Sequence, residues 1–318
     1  MYNKLCRAAA VVTLLCMITA ALFGCSLKPE ADPSEEGSSA VTANADPYTI
    51  ETWGGNQSNE TGDNNAVGSV PQTASAERTK ATEKTQVRVT IPEGYSFMQI
   101  ANLLESKGVC TAKDFYDVCQ SYSPKSFSIP SSSDRCFKME GYLFPDTYEF
   151  FVDEDPTHAL SRLLDNFNTK MSDELMQKVE ASGYSLNQIL TIASLIEKET
   201  DGTDRENIAS VIYNRLNNIG ETYHKLQIDA SLIYGLGDNY TGTLTSSDLN
   251  YNTPYNLSMY EGLPPTPIAN PGLASIQAAL EPAQTNYYFY ALGKDGVHHF
   301  FKTYAEHSSF VSSSQYAG

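Results

Sequence analysis

Hydrophobic residues repeat with two different periods along the chain, and each period predicts one kind of element. Val87, Val89 and Ile91 alternate with polar residues, which predicts a strand, and Pro92-Glu93-Gly94 predicts a turn after it. Farther along, apolar residues recur at helical spacing, which predicts a series of amphipathic helices. Their apolar positions include Ile100, Leu103, Leu104, Phe115, Val118, Leu160, Leu163, Leu164, Phe167, Met171, Leu175, Val179, Ile208, Val211, Ile212 and Leu216.

The C-terminal part of the chain returns to a strand pattern. The segments Tyr287 to Leu292 and Val297 to Phe301 are separated by the turn sequence Lys294-Asp295-Gly296, which predicts a β-hairpin. We therefore predict an α+β fold that is mainly helical and ends in this hairpin.

The segment from Ser185 to Thr200 predicts a central helix. Ser185 followed by Gln188 forms a capping box, so the helix is expected to begin here. Glu197 lies about 20° from Leu186 on a helical wheel, in the middle of the apolar stripe. That stripe consists of Leu186, Ile189, Leu190 and Ala193, and the polar arc consists of Asn187, Thr191, Ser194 and Lys198.

The position of Glu197 in the apolar stripe has a chemical consequence. A buried, unpaired carboxylate is costly when ionised, so burial raises its pKa and lets it hold a proton near neutral pH. Such a group suits general acid catalysis, as in enzymes that cleave sugar polymers. The alternative is a structural ion pair between Glu197 and an arginine, with Arg215 as the nearest candidate. Glu199 is expected nearer the margin of the apolar stripe.

The N-terminus has the features of a targeting segment. Lys4 and Arg7 precede the apolar run from Ala8 to Phe23, and Leu22-Phe23-Gly24-Cys25 resembles a bacterial lipobox. We predict that residues 1–25 are a signal or anchor, with cleavage and lipidation at Cys25, or alternatively an uncleaved single-span anchor. Residues 26–85 are rich in Ser, Thr, Ala, Asn, Glu and Pro and predict a disordered linker. Both forms of anchor place the rest of the chain outside the cytoplasm.

Charge and cysteine content narrow the function. A net charge of -17 argues against a nucleic-acid partner, which requires a basic surface, and favours a neutral or mixed-charge polymer. The 20 tyrosines agree with a carbohydrate ligand but also serve cores. No metal or other cofactor is predicted, because His298, His299 and His307 have no spaced carboxylate or cysteine near them. Three cysteines of the predicted folded part allow one disulfide and one free thiol, and the pairing stays open: Cys110, Cys119 and Cys136.

Two further segments have both a structural and a functional interpretation. Glu140 to Phe150 is dense in aromatic residues around Gly141 and Pro145, which suits either a buried strand with a turn or a loop that lines a sugar-binding groove. Asp229 either caps a short helix that ends at Gly235 or contacts a substrate.

Taken in order, these segments resemble the endolytic murein transglycosylase family of bacteria. The resemblance runs from about Val87 to the C-terminus. The matching residues are Glu140-Gly141-Tyr142-Leu143-Phe144-Pro145-Asp146-Thr147-Tyr148, Ala193-Ser194-Leu195-Ile196-Glu197-Lys198-Glu199-Thr200, Asn214-Arg215-Leu216, Gln227-Ile228-Asp229, Ile233-Tyr234-Gly235, Tyr255-Asn256, Gly262-Leu263-Pro264-Pro265, Pro267-Ile268, Pro271-Gly272, and His299-Phe300 through His307.

This resemblance implies a membrane-tethered cell-wall enzyme. It implies a LysM-like module at 86–137, a lysozyme-like catalytic domain at 138–318, and Glu197 as catalytic acid and base. The lipobox and the long spacer depart from the family pattern, in which a spanning helix is usual. Peptidoglycan is the implied partner, together with wall-synthesis enzymes and the membrane.

The implied reaction is a lyase reaction that leaves 1,6-anhydro-N-acetylmuramic acid ends and terminates nascent glycan strands. Two alternatives are a lysozyme-type hydrolase, with Asp229 or Glu199 as second carboxylate, and a non-catalytic peptidoglycan-binding lipoprotein. The predicted substrate contacts are Tyr142, Tyr148, Gln227, Asp229, Tyr255 and Asn256.

Overall fold

The computed structural model describes residues 84–200, 202, 204–218 and 220–317. The predicted N-terminal anchor, the lipidation site Cys25 and nearly all of the predicted spacer lie outside these residues. The described residues belong to one compact unit. None of their helices is long and apolar enough to cross a membrane.

The described part of the chain contains both helices and short strands, and helices predominate, which confirms a mixed α+β fold. The strands are β1 (Gln86–Thr90), β2 (Thr147–Phe151), β3 (Phe289–Leu292) and β4 (His298–Phe301). The helices are α1 (Phe97–Ser106), α2 (Ala112–Ser121), α3 (Pro156–Lys170), α4 (Asp173–Ser182), α5 (Leu186–Glu199), α6 (Arg205–Asn217), α7 (Asp229–Leu236), α8 (Ser246–Leu249), α9 (Leu273–Leu280) and α10 (Tyr304–Val311).

The first sheet joins the beginning of the described chain to the aromatic segment. β1 and β2 pair antiparallel, with Val89 opposite Tyr148. Successive residues of a strand face opposite sides, so Tyr148 and Phe150 are buried while Thr147 and Glu149 are exposed. β1 belongs to the predicted LysM-like module and β2 to the predicted catalytic domain, which meet at residue 138. Because the two strands form one sheet, the division into these two domains stays a prediction.

The helices after β1 follow the expected signals. Ser96 and Gln99 form a capping box at the start of α1, and Gly94 has a φ of 73°, which allows the tight turn before it. The ring of Phe97 stacks between those of Phe115 and Phe137 at centroid distances of 5.8 and 5.0 Å. These stacked rings hold α1 and α2 against the connection that follows α2.

Helix α5 begins with the predicted capping box of Ser185 and Gln188 and is the central helix of the core. Its residues are buried without interruption from Ile189 to Ile196, so the apolar stripe is wider than predicted. Part of the predicted polar arc is also covered. The hydroxyl of Ser194 accepts a hydrogen bond from the backbone N–H of Ile268 at 3.0 Å, because the loop before α9 lies on this face.

The predicted C-terminal hairpin is confirmed. β3 and β4 pair antiparallel, with Tyr290 opposite Phe300. Helix α10 packs on both strands, and Phe310 is its buried residue.

Candidate active site

Glu197 lies in the last turn of α5, where the buried part of the helix ends. Its side chain is half-buried, and its Oε2 accepts a hydrogen bond from the backbone N–H of Gly272 at 3.0 Å. Gly272 is the N-cap of α9, which packs closely on α5. A free backbone N–H at a helix start is a good partner for a carboxylate, so the start of α9 fixes the position of Glu197.

The turn after β1 forms a second side of this site. Gly94 donates to the carbonyl of Asn270 at 3.0 Å, and Asn270 donates to the carbonyl of Tyr95 at 2.9 Å. A methyl group placed on Gly94 would lie 3.5 Å from Cγ of Glu197. The turn therefore packs directly on the stem of Glu197.

Glu140 is a buried carboxyl group that ties these segments together, and sequence reasoning did not assign it this role. It accepts hydrogen bonds from the backbone N–H of Phe97 at 3.0 and 3.1 Å, the hydroxyl of Tyr234 at 3.0 Å and Nδ2 of Asn270 at 3.0 Å. Full burial raises the pKa of Glu140 to about 7, although these donors oppose the shift.

Glu199 has a different environment from Glu197. The hydroxyl of Tyr290 donates to Oε2 of Glu199 at 2.6 Å. Burial raises the pKa of Glu199, and the charge of Asp229 adds to the shift, while the Tyr290 hydrogen bond opposes it. A carboxyl group with a raised pKa was predicted at Glu197, and the same turn of α5 carries another carboxyl group, that of Glu199, whose pKa is raised. The pKa of Glu199 is raised because the hairpin encloses its carboxyl group. A helical wheel of α5 alone cannot show this contact.

Arg215 does not neutralise Glu197. Its Nε donates to the carbonyl of Tyr288 at 2.6 Å, its Nη1 donates to the carbonyl of Leu226, and its guanidinium lies over the ring of Phe289. Burial lowers the pKa of Arg215, and the charge of Glu199 opposes this shift. The structural ion pair between Arg215 and Glu197, considered above as an alternative, is therefore absent.

Most of the predicted substrate contacts lie in the core. The hydroxyl of Tyr142 donates to Asn187 at 3.1 Å, that of Tyr148 donates to the carbonyl of Phe144 at 2.5 Å, and that of Tyr255 bonds to Thr266 at 2.8 Å. Four of the six side chains are at most 8% exposed: Tyr142, Tyr148, Tyr255 and Asn256. Burial favours the structural interpretation of the aromatic segment.

Gln227 and Asp229 are the two predicted contacts that remain exposed. Gln227 has a φ of 53°, in the left-handed region, and its N–H donates to the carbonyl of Leu257 at 3.0 Å. Asp229 is the first residue of α7, after the N-cap Ile228, and makes no capping bond. Partial burial raises the pKa of Asp229. The predicted role of both side chains, contact with the substrate, stays a prediction.

The histidines of the hairpin region have local partners. His298 pairs with Asp204 at 2.7 Å and His299 with Asp295 at 3.0 Å. No group of three or more His, Cys, Asp or Glu side chains within the described residues is arranged to hold a metal ion. Cys110 and Cys119 are free thiols.

Two cavities lie elsewhere in the fold. One of about 360 Å³ lies between α6 and the segment after α9, and its lining includes Tyr184, Tyr213 and Gln284. Another of about 700 Å³ is lined by the connection from Ser123 to Lys138. Glu197 lines neither of them and lies beside Gly272 at the start of α9.

Comparison with known proteins agrees with this architecture. The model of the YceG-like family matches residues 67–313, and the chain belongs to this family. A crystal structure of a YceG-like protein from Listeria monocytogenes aligns with a TM-score of 0.62 at 30% sequence identity, over 70% of this chain and 75% of that one.

Two relatives are named endolytic murein transglycosylase. That of Bacillus subtilis is 32% identical over 232 residues, which are 70% of this chain and 63% of the relative. That of Streptococcus pneumoniae serotype 2 is 31% identical over 249 residues and is covered over 44% of its length. The chain thus spans about two fifths to just under two thirds of these relatives.

Proposed function

We propose that this chain is an endolytic murein transglycosylase that cleaves the bond between N-acetylmuramic acid and N-acetylglucosamine. The observation that carries the proposal is the environment of Glu197. Its carboxyl group is fixed by the N–H of Gly272 and is not neutralised by Arg215, and the residue is partly exposed to solvent. The names of the relatives and the family membership support the same substrate class.

The proposed reaction needs one group that first donates and then accepts a proton. Glu197, protonated, gives its proton to the glycosidic oxygen, and the bond from that oxygen to the anomeric carbon of N-acetylmuramic acid breaks. The N-acetylglucosamine side leaves as an alcohol while an oxocarbenium-like state develops. The carboxylate of Glu197 then takes the proton of the C6 hydroxyl, whose oxygen bonds to the anomeric carbon. The product is a 1,6-anhydro ring, and Glu197 is protonated again.

A lysozyme-type hydrolase would need a second carboxylate to activate water or to attack the anomeric carbon. Glu199 and Asp229 were the candidates for this role. Glu199 is held by Tyr290 in an enclosed position, where the charge of Asp229 raises its pKa and the charges of His298 and Arg215 lower it. This arrangement favours a structural role for Glu199 over attack on a sugar.

We further propose that residues 1–25 tether the enzyme to the membrane through Cys25 or a single span, with residues 26–85 as a spacer. This part rests on the sequence alone: the lipobox-like Leu22-Phe23-Gly24-Cys25 and the polar composition after it. Residues 86–137 would act as a LysM-like module that helps to hold a glycan strand. A tethered enzyme that works beside wall-synthesis enzymes would terminate nascent strands.

The test is digestion of purified peptidoglycan by the full-length chain, with mass spectrometry of the released muropeptides. The wild type should release 1,6-anhydro ends, and Glu197→Gln should release none. The matched control is Glu180→Gln, since Glu180 is an exposed glutamate on α4. Reducing ends in place of anhydro ends, lost in Glu199→Gln or Asp229→Asn, would establish the hydrolase instead.

The non-catalytic alternative predicts a different pair of results. A binding lipoprotein would bind isolated wall material and cleave none of it. Glu197→Gln should therefore be compared with the wild type in a sedimentation assay with the same peptidoglycan. Wild type that binds but releases no fragments would refute the enzyme.

A further inference from the structure

Two glutamates from distant parts of the sequence flank Gly272. Oε2 of Glu197 accepts its N–H at 3.0 Å. On the other side, a methyl group placed on Gly272 would lie 1.9 Å from Oε1 and 2.2 Å from Cδ of Glu93. Glu93 is carried by the turn after β1, the same turn that packs on the stem of Glu197 through Gly94. The two carboxyl groups therefore lie at the same helix start.

The position of Glu93 is fixed by its backbone more than by its side chain. The two residues that follow it are bonded to the loop before α9, since the N–H of Gly94 donates to the carbonyl of Asn270 and the carbonyl of Tyr95 accepts from the N–H of Asn270. Within the part of the chain that the structure describes, the Glu93 carboxyl group makes no hydrogen bond or ion pair, and it remains exposed. An acidic side chain placed beside another acid, with no cation bonded to it, gains only the modest favourable interaction of a carboxylate with the start of α9.

The electrostatics are those of two neighbouring acids. Partial burial and the charge of Glu197 raise the pKa of Glu93, and the charge of Arg205 opposes the shift. Arg205 itself is engaged with the carbonyl of Gly202 and the hydroxyl of Ser275. The charge of Glu93 is thus left available to a ligand.

We propose that Glu93 is a second carboxyl group of the active site, contributed by the N-terminal turn, and that as a carboxylate it stabilises the positive charge that develops at the anomeric carbon. This inference rests on the proposed role of Glu197. Glu93 forms no bond and moves no proton in this step. Its contribution is Coulombic, because a fixed negative charge near the oxocarbenium-like carbon favours the transition state over the neutral substrate.

The proposal explains why Gly272 has no side chain. Its φ of -74° is accessible to any residue, so backbone conformation does not demand glycine. A Cβ at this position would displace the carboxyl group of Glu93. Glycine leaves room for Glu93 to approach the start of α9.

The experiment measures kcat, apparent KM and the pH profile of muropeptide release by the full-length chain. Glu93→Gln keeps the shape of the side chain and removes its charge. We expect kcat to fall at least about tenfold with little change in KM, a modest effect for loss of one electrostatic group. Because Glu93 acts only when ionised and its pKa is raised, wild-type activity should fall with decreasing pH above the usual range of a glutamate, and Glu93→Gln should lack this decrease. Glu180→Gln should match the wild type in both respects.

A double-mutant cycle gives a second readout. Gly272→Ala should reduce kcat as Glu93→Ala does, and the double variant should lose no more than Glu93→Ala alone, since the first change displaces the carboxyl group that the second removes. Wild-type kcat and an unchanged acidic limb in Glu93→Gln, or additive losses in the cycle, would overturn the role of Glu93 while leaving Glu197 in place. Full activity of Glu197→Gln would refute the proposed function itself.

Discussion

Nδ2 of Asn270 donates to Oε1 of Glu140 at 3.0 Å, and this bond connects the loop before α9 to the aromatic segment 130 residues earlier in the chain. The same amide group also donates to the carbonyl of Tyr95 at 2.9 Å. Its Oδ1 accepts from the N–H groups of Gly141 and Leu143 at 3.0 and 2.8 Å. Asn270 thus satisfies four groups from two separate segments, the aromatic segment and the turn after β1.

Removal of this side chain should destabilise the protein strongly. Asn270→Ala leaves the buried N–H groups of Gly141 and Leu143 without a partner and removes one hydrogen bond each from Glu140 and the carbonyl of Tyr95, and each unsatisfied buried group costs about 1–3 kcal/mol. We expect the free energy of unfolding to fall by about 3 kcal/mol or more, allowing for some relaxation. Urea denaturation followed by circular dichroism measures this change. Asn217→Ala, at an exposed position of α6, should change stability by less than about 0.5 kcal/mol.

The outcome also bears on activity. Asn270 bonds to Gly94 and Tyr95, which follow Glu93 in the turn; the two backbone bonds remain in Asn270→Ala and the bond from Nδ2 to the carbonyl of Tyr95 is lost, so the change should loosen the turn. An Asn270→Ala variant as stable as Asn217→Ala would show that the bonds at Asn270 do not hold these segments together.

Glu140 should give the protein a measurable pH dependence of stability. Burial raises its pKa from the usual 4.5 to about 7, so between these values the folded protein binds a proton that the unfolded chain has released. The stabilising contribution is fully present below pH 4.5 and is lost as the pH rises through about 7. A shift of this size corresponds to about 3 kcal/mol.

The measurement is the free energy of unfolding at several pH values for wild type and Glu140→Gln. The amide carries no charge at any pH, so the difference between the two proteins should change by about 3 kcal/mol between pH 4.5 and 8. Other groups titrate equally in both proteins, and the subtraction removes them. A constant difference across this range would contradict a raised pKa at Glu140.

Local signals account for what the sequence predicts correctly. The capping boxes at Ser96 and Ser185 fix two helix starts, because the side chain and the backbone groups that it satisfies are three residues apart. The turn between β3 and β4 is local in the same sense. Glu197 could be identified from the sequence as a candidate catalytic residue because the apolar stripe in which it lies is defined by one helix alone.

The rest of the site depends on contacts between distant segments. Glu93, Glu140 and Asn270 meet only when the chain is folded, and no spacing in the sequence connects them. The predicted substrate contacts of the tyrosines were uncertain for another reason. Composition shows that aromatic rings are abundant, and it does not show whether a ring faces solvent or the core. Tyr142 is buried against Phe127, a residue from a connection with no regular pattern.

Gly141 offers a prediction in which strain and crowding can be separated. Its φ is 90°, and a methyl group placed on it would lie 2.5 Å from Cγ of Pro267. Gly183 is the matched control: its φ is 75° and nothing lies within 4 Å of such a methyl group. Both substitutions to alanine incur the cost of a left-handed conformation, about 1–2 kcal/mol. Gly141→Ala must also move Pro267, a rigid ring in the loop that leads to Asn270, and overpacking of this kind costs about 1–3 kcal/mol more.

We therefore expect Gly141→Ala to unfold at a clearly lower urea concentration than Gly183→Ala. It should also lose activity, because displacement of Pro267 moves Asn270 and, through it, the turn at Glu93. Gly183→Ala should keep wild-type activity, since Gly183 only ends α4. Equal unfolding midpoints for the two variants would mean that the loop before α9 yields to the added methyl group, and Gly141 would then be required for its backbone conformation alone.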